Sequence, residues 1–526
     1  MEKHHGSSHD GGVAIYKDGA IVSLAAERVD RIKHSVDPGP ALAFLSSRLA
    51  VDPKSAVSGP AINHPLAHAA SAYYVSGFDE ALILVIDGQG DYGEQSVISI
   101  SLWLGQGTRI EALEAYNEPA PFCTNSIGHF YSAITYYIGF GFYDQGKTMA
   151  LAPYGQRGPM ADIVAGFCRY ANGRMEIDPG FVKTIFDETY GACFPRWRKP
   201  DHQEQSRLQI EKLLGPIRRK DEPLAQRHRD LAYAGQLALE ETILRFCQDR
   251  FRKHGVRNLC LAGGVALNVA ANTRIVREAG FKKVFIQPAA GDDGQALGKL
   301  LYRMHNDFSL PRKPMLHAYL GPDYDQEEVS QAALDAGDSF KITEHKEQSG
   351  LLAETVTRIM SGQIIAWFQG SSEIGPRALG HRSILADPRP PGMRDRLNRV
   401  KKREDFQPFA LAILAEHASE WFDLLCPSPF MLLTAAGKAG AQALMPAGLH
   451  VDGTSRLQTL TREENGLFYE LVRQWMNHTG VPAILNTSFN DKGMPIVETP
   501  RDAIKMFDQM SGVDALVMGP FIVERK

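Results

Sequence analysis

A chain of 526 residues is longer than one hydrophobic core usually supports, so two domains are expected. Its 44% hydrophobic and 22% charged residues are the balance of a soluble globular protein, and a net charge of −4 gives no electrostatic basis for binding nucleic acid. No apolar run approaches a membrane span, and the first residues lack the apolar core of a signal peptide. The six cysteines, at 123, 168, 193, 247, 260 and 426, show no paired or metal-ligand spacing, so reduced thiols in a cytoplasm are expected.

In chain order, the first informative stretch is a small-residue loop over 6–12 that carries His9 and Asp10. It leads into a hairpin, with strands over 13–16 and 20–26 joined by Lys17-Asp18-Gly19. The segment from Asn63 then reads as a helix, with Asn63 as N-cap and Pro65 in the first turn, where a missing N–H does no harm. His64 and His68 lie four apart on it, so their Cβ atoms share one face roughly 5–6 Å apart. The apolar run 81–86 predicts a buried strand with Asp87 at its C-terminal end, where α/β folds place ligands. Two imidazoles and a carboxylate make three-quarters of a metal site. The fourth candidate ligand is Asp292, in an acidic pair that follows a strand over 283–287 and opens a helix. Fe(II), Mn(II), Co(II) and Zn(II) all suit such ligands, and spacing does not choose between them.

Between these points, 125–139 reads as an aromatic-rich core helix. Lys147 follows a glycine but lacks the upstream glycine of a phosphate-binding P-loop. The segment 156–228 is variable in character, and its basic runs at 196–199 and 218–220 read as solvated faces. Residues 230–254 form an amphipathic helix with a cationic last turn and Gly255 beyond it. A short strand over 258–262 is followed by Gly263, Gly264, Val265 and, at the next helix, Asn268; a glycine pair there lets backbone N–H groups approach a phosphate.

Two prolines in a polar stretch place a boundary within 305–316, dividing the chain into domains 1–308 and 317–526. The second half opens as alternating helices and strands: helix 326–336, strand 341–345, helix 350–361, strand 364–369. Its loops concentrate cations and amides: Arg377, His381 and Arg382, then Lys401, Lys402 and Arg403, then Arg456, then Asn490 and Lys492. Brought together, such groups suit polyphosphate or carbamoyl phosphate through bidentate and point-charge contacts.

Taken together, the motifs resemble the O-carbamoyltransferase family of nodulation-factor and antibiotic biosynthesis (nebramycin, novobiocin, ansamycin and cephem types). The matching residues include His9-Asp10, Glu27-Arg28, Arg31, Lys33-His34, His64 to Ala72, Asp87-Gly88, Gly146-Lys147, Gly263 to Asn268, Gly291-Asp292, Gly375 to Gly380, Arg382 to Arg389, Lys401, Arg403-Glu404, His450 to Thr454 and Leu485 to Asn490. The resemblance implies an α/β protein of two parts. The N-terminal part is expected to be an actin-like (sugar kinase/Hsp70-type) metal-binding domain that resembles the transferase making threonylcarbamoyl-adenosine in tRNA. The C-terminal part is expected to be an α/β twisted-sheet domain resembling threonylcarbamoyl-adenylate synthase.

The activity implied is ATP-dependent: carbamoyl phosphate and ATP give carbamoyl-adenylate, and the carbamoyl group passes to a hydroxyl of a natural-product or sugar acceptor. By resemblance the metal ligands are His64, His68, Asp87 and Asp292, with Fe(II) the first expectation, and ATP is used with Mg. Phosphate contacts fall on Arg377, Lys401, Arg456, Asn490 and Lys492, adenylate contacts on Lys147, Gly263, Gly264, Val265 and Asn268, and acid–base work on His9 and Asp10. A small-molecule acceptor, no nucleic acid, no membrane and a homodimer are the expected partners. Gln407 stands where the family often has arginine, which leaves one phosphate contact to Lys402 or His381. Two rival readings are a fused tRNA threonylcarbamoyl enzyme and a non-catalytic actin-like nucleotide-binding protein; the second has no need of four clustered metal ligands.

Overall fold

The computed structural model describes residues 2–4, 10–53, 62–90, 96–119, 123–193 and 203–526. Proximity divides the chain into two units, Met1–Ala61 with Asp292–Lys526, and Ile62–Gly291. The boundary expected within 305–316 lies inside the first of these, because the N-terminal hairpin is tied to the second half of the chain. Ser23 N donates to Leu320 O at 2.7 Å, and Arg31 donates to the carbonyls of Pro495 and Ile496. Arg48 grips both carboxylate oxygens of Glu328 at 2.6 Å.

That hairpin is an antiparallel sheet of β1 (Glu2–His4), β2 (Gly12–Lys17) and β3 (Ala20–Ala25). Asp18 and Gly19 take φ of 50° and 85° between β2 and β3, the paired positive values of a two-residue hairpin turn. Alternation along the strands puts Val13, Ile15 and Leu24 on one face against Ala41 and Leu45 of helix Gly39–Arg48.

The unit Ile62–Gly291 is built on β4 (Glu80–Ile86), β5 (Ser96–Gln106) and β6 (Arg109–Pro119), an antiparallel meander. A small hairpin follows, β7 (Cys168–Ala171) with β8 (Arg174–Ile177). β9 (Asn258–Ala262) then pairs parallel with β4, and β10 (Lys283–Ile286) parallel with β9, giving the order β10-β9-β4-β5-β6. The central strand β4 is buried along Ala81–Ile86, as its unbroken apolar run requires. Helix Gln226–His254 ends on Gly255 at φ 66°, the cap its cationic last turn predicts. The variable segment contains a helix that periodicity did not reveal, Pro179–Cys193, whose Phe181, Val182 and Ile185 are buried.

The rest of the first unit is a nine-stranded sheet of β11 (Phe340–Glu344), β12 (Ile365–Phe368), β13 (Arg382–Ala386), β14 (Ala410–Leu414), β15 (Leu433–Ala436), β16 (Thr454–Leu460), β17 (Ala483–Ser488), β18 (Ala515–Met518) and β19 (Phe521–Arg525). Its order is β11-β19-β18-β12-β13-β17-β14-β16-β15, with only β12/β18 and β14/β16 parallel. Period-two alternation sends Ala366 and Phe368 into one core and Ile365 and Trp367 into the other, so both faces are buried under helices. Among the described residues no helix is long and apolar enough to cross a membrane.

Candidate functional site

Two groups of side chains are candidates for chemistry, one around the helix that carries His64 and His68 and one in the second half of the chain. The first begins on helix His64–Tyr73, whose N-cap Asn63 accepts from Leu66 N at 2.9 Å. The Nε2 atoms of His64 and His68 lie 3.1 Å apart, and each is 3.1 Å from Oδ2 of Asp87 at the end of β4. A cation with ligand bonds of about 2.0–2.1 Å holds neighbouring ligands about 3.0–3.4 Å apart, so this triangle has the edges of a coordination shell. The donor set therefore fits a divalent metal. Asp292, the expected fourth ligand, is buried and is the residue that follows Gly291.

Asp87 is aimed by its backbone surroundings. Its Oδ1 accepts from Gly88 N at 2.8 Å and Gly264 N at 3.4 Å, which leaves Oδ2 to the histidines. Gly263 makes this possible: at φ 88°, its missing Cβ would lie 2.2 Å from the carbonyl oxygen of Ile86. The glycine pair read as a phosphate loop thus serves the aspartate. Asn268 is likewise engaged, capping helix Val269–Glu278 through Ala271 N at 3.1 Å and exchanging two hydrogen bonds with Gln236. Val265 lies in the short 3₁₀ turn between them. Lys147 pairs with Asp144 at 3.0 Å. The sequence reading missed His129, a buried ring against Gly88 whose Nδ1 donates to Cys123 O at 2.7 Å; burial pulls its pKa down to about 4, so it is neutral.

The second group is cationic. Arg377 sits in the loop between β12 and β13, Lys401 caps helix Met393–Val400, Arg403 follows it, and Arg456 lies on β16. Burial pulls Arg377 and Arg403 down to about 10 and Lys401 and Arg456 well below their usual values. Mutual repulsion adds to this: Arg377 and Arg403 both lower Arg456, Arg377 lowers Arg403, and Arg403 with Lys33 lowers Lys401. Among the described residues none of the four forms an ion pair with a carboxylate, and the Nε groups of Arg377 and Arg456 are buried without an acceptor. The charges of Asp491 and Glu404 offset part of this at Lys401 and Arg403, but cations gathered with no direct ion pair are costly unless an anion enters.

Buried polar anchors hold the loop that carries Arg377. Glu373 accepts from the backbone N–H of Leu379, His381 and Arg382, which folds the loop that carries Arg377. Burial opposes its charge, but His381, Arg382 and Arg28 together with those N–H groups leave its pKa lowered. Arg28 clamps the carbonyls of Glu373 and Gly375, and Gln458 with Asn486 holds the carbonyl of Leu379. Asn490 faces Lys401 and holds it. Lys492 is exposed, 3.6 Å from Glu404. Neither expected substitute for the missing arginine belongs to the pocket: exposed Lys402 pairs with Asp491, and His381, stacked on Tyr319, is held near pKa 4 by burial.

His9 lies outside the described residues. Asp10 accepts from His34 Nδ1 at 2.9 Å, and with Glu27 these form a second His/carboxylate group. A cavity of 410 Å³ lined by Arg157, Cys168, Tyr170 and Arg245 shares no residue with either site.

The family models for the carbamoyltransferase N-terminus and C-terminus match residues 54–301 and 356–525. The chain belongs to the carbamoyltransferase family. This carbamoyltransferase is 37% identical to nodulation protein NolNO of Sinorhizobium fredii, over 88% of this chain and 64% of that protein. It is 35% identical to nodulation protein NolO of Bradyrhizobium diazoefficiens, over 88% and 79% respectively. A solved structure of T. kodakarensis HypF aligns over 58% of the carbamoyltransferase and 47% of HypF, at 16% identity and a TM-score of 0.29.

Proposed function

We propose that this carbamoyltransferase uses ATP and carbamoyl phosphate to carbamoylate a hydroxyl of a natural-product or sugar acceptor through carbamoyl-adenylate. The observation that carries this reading is the cluster of Arg377, Lys401, Arg403 and Arg456, cations withdrawn from solvent that form no ion pair with a carboxylate among the described residues. Carbamoyl phosphate and the ATP triphosphate are the anions that suit it. Water takes the phosphoryl group from carbamoyl phosphate, leaving carbamate and inorganic phosphate. A carbamate oxygen then attacks the α-phosphorus of ATP, and pyrophosphate leaves. The cations hold these oxygens in place and stabilise the charge that builds on them. A site that closes over its substrates would also keep solvent from carbamate, which otherwise loses CO₂.

In the transfer step the acceptor oxygen attacks the carbamoyl carbon and AMP leaves. We assign this step to the unit Ile62–Gly291, whose order β10-β9-β4-β5-β6 supports the actin-like expectation. His64, His68, Asp87 and Asp292 would hold the divalent metal, Fe(II) by family resemblance. When bound, that ion supplies positive charge for an adenylate phosphate or carbonyl oxygen. His9 remains our candidate base for the acceptor hydroxyl, since neutral imidazole is available near pH 7. We also keep the cytoplasm and a homodimer as parts of this proposal.

Pyrophosphate release tests it. ATP with carbamoyl phosphate should release pyrophosphate, whereas ATP with threonine and bicarbonate should not. The reverse pattern would favour the tRNA-modifying reading.

A further inference from the structure

The segment 398–409 contains an arrangement that neither family membership nor the two-step reaction explains. Gln407 is buried, and its side-chain amide bridges two groups of opposite charge: Oε1 accepts from Arg403 Nε, and Nε2 donates to Glu404 Oε2 at 2.6 Å. The amide cannot turn over without placing N–H against N–H and oxygen against carboxylate. Its backbone is pinned as well. Gln407 N donates to Glu404 O at 3.0 Å, and Asn398 Nδ2 donates to Gln407 O at 3.1 Å.

The consequence falls on Arg403. Its guanidinium lies 5.1 Å above the ring of Phe409 and is fixed at its Nε edge, while no protein acceptor among the described residues takes its terminal Nη groups. Glu404, one residue away, would otherwise be the natural partner for that charge. Held by the neutral amide at one oxygen and facing Lys492 with the other at 3.6 Å, it forms no ion pair with the guanidinium, although its charge still raises the Arg403 pKa.

We infer that Gln407 is a positioning residue: it orients Arg403 by one edge and keeps Glu404 from neutralising it, so that the Nη edge clamps a phosphate oxygen. An acidic residue at 407 would pair with Arg403 and cancel the clamp. A basic one would repel Arg403, so the arginine common in the family is not a gain here. This inference rests on the anion-pocket reading above.

The test uses the full chain and inorganic phosphate, with binding measured by calorimetry, so no turnover is needed. Gln407→Met should weaken phosphate binding about tenfold, the loss expected when a charge-assisted bond is misdirected, and Gln407→Glu should weaken it further. In an Arg403→Leu background neither substitution should have any additional effect, a dependence that a purely structural role would not produce. Gln407→Asn, which keeps the amide but shortens its reach, gives an independent variant and should fall between the parent and Gln407→Met. Unchanged phosphate affinity in Gln407→Glu, or a further loss in the Arg403→Leu background, would overturn the inference. Phosphate binding without pyrophosphate release from ATP would refute only the proposed reaction; no phosphate binding by the parent protein would refute both.

Discussion

The ammonium of Lys401 is held by Asn490, donating to its Oδ1 at 2.6 Å and its backbone carbonyl at 2.7 Å, with a third bond to Ser488 O at 2.6 Å. Every acceptor in this set is neutral. Asn490 orients the charge without cancelling it; with all three N–H donors engaged, Lys401 would act on an incoming anion through its charge, whereas the Nη edge of Arg403 stays open to a direct bond.

Asn490→Asp should therefore cost more activity than its size implies. A carboxylate there would pair with Lys401, restore its pKa toward the ordinary lysine value and neutralise the pocket. The expected outcome is a loss of phosphate affinity of at least about tenfold with a folded protein, measured by calorimetry. Affinity equal to that of the parent would show that Lys401 does not face the anion.

The lowered pKa of Lys401 has a definite sign. Burial, helped by Arg403 and Lys33, favours the neutral amine, while a bound anion favours the ammonium. Phosphate affinity should fall as pH rises through the lowered pKa, and binding above it should take up a proton. In the unliganded protein the unfolded chain holds this proton to higher pH, so the contribution of Lys401 to stability rises with pH through the same range. Calorimetry in buffers of different ionisation enthalpy reads the uptake directly, and proton release on binding would contradict it.

Among the described residues the guanidinium of Arg456 makes no hydrogen bond and its Nε is buried, so its charge is a cost until an anion arrives. Arg456→Met should raise the Tm of the unliganded protein by a few degrees, in line with the roughly 1–4 kcal/mol gained when buried charges give way to packed apolar groups. The same variant should lose most of the stabilisation that the parent gains from phosphate. A lower unliganded Tm would mean that the side chain has a structural task.

Much of the metal group was legible because its determinants are local. Asn63 and Pro65 mark the helix start, the i,i+4 spacing puts two imidazoles on one face, and the run before Asp87 marks a buried strand. The cationic loops were visible as clusters, yet the roles within them were not. Gln407 sits beside Arg403 and Glu404 in sequence, but its orienting function depends on which way a buried amide points. Asn486, through Gln458, acts on the Arg377 loop from strands far from it in sequence, a relation no spacing displays. The Gly263-Gly264 turn was legible as a tight turn. What required it, close approach to Ile86 and Asp87, belongs to tertiary packing.

The histidine and aspartate group has its own test. His68→Ala should lose bound metal while the protein stays folded, since His68 is one corner of the ligand triangle and takes part in two of its edges. Elemental analysis of the purified variant gives the answer. Full metal occupancy would remove His68 from the ligand set.

The central claim is that adenylate formation belongs to the cationic pocket and carbamoyl transfer to the His/Asp group. Product formation from synthetic carbamoyl-adenylate and acceptor tests it most directly. Arg377→Ala should be inactive with ATP and carbamoyl phosphate yet recover when the intermediate is supplied, because phosphate positioning is no longer needed. His64→Ala should release pyrophosphate from ATP with carbamoyl phosphate and still fail to carbamoylate the acceptor when given the same intermediate. Arg377→Ala remaining inactive with carbamoyl-adenylate, or His64→Ala being rescued by it, would contradict this division of labour.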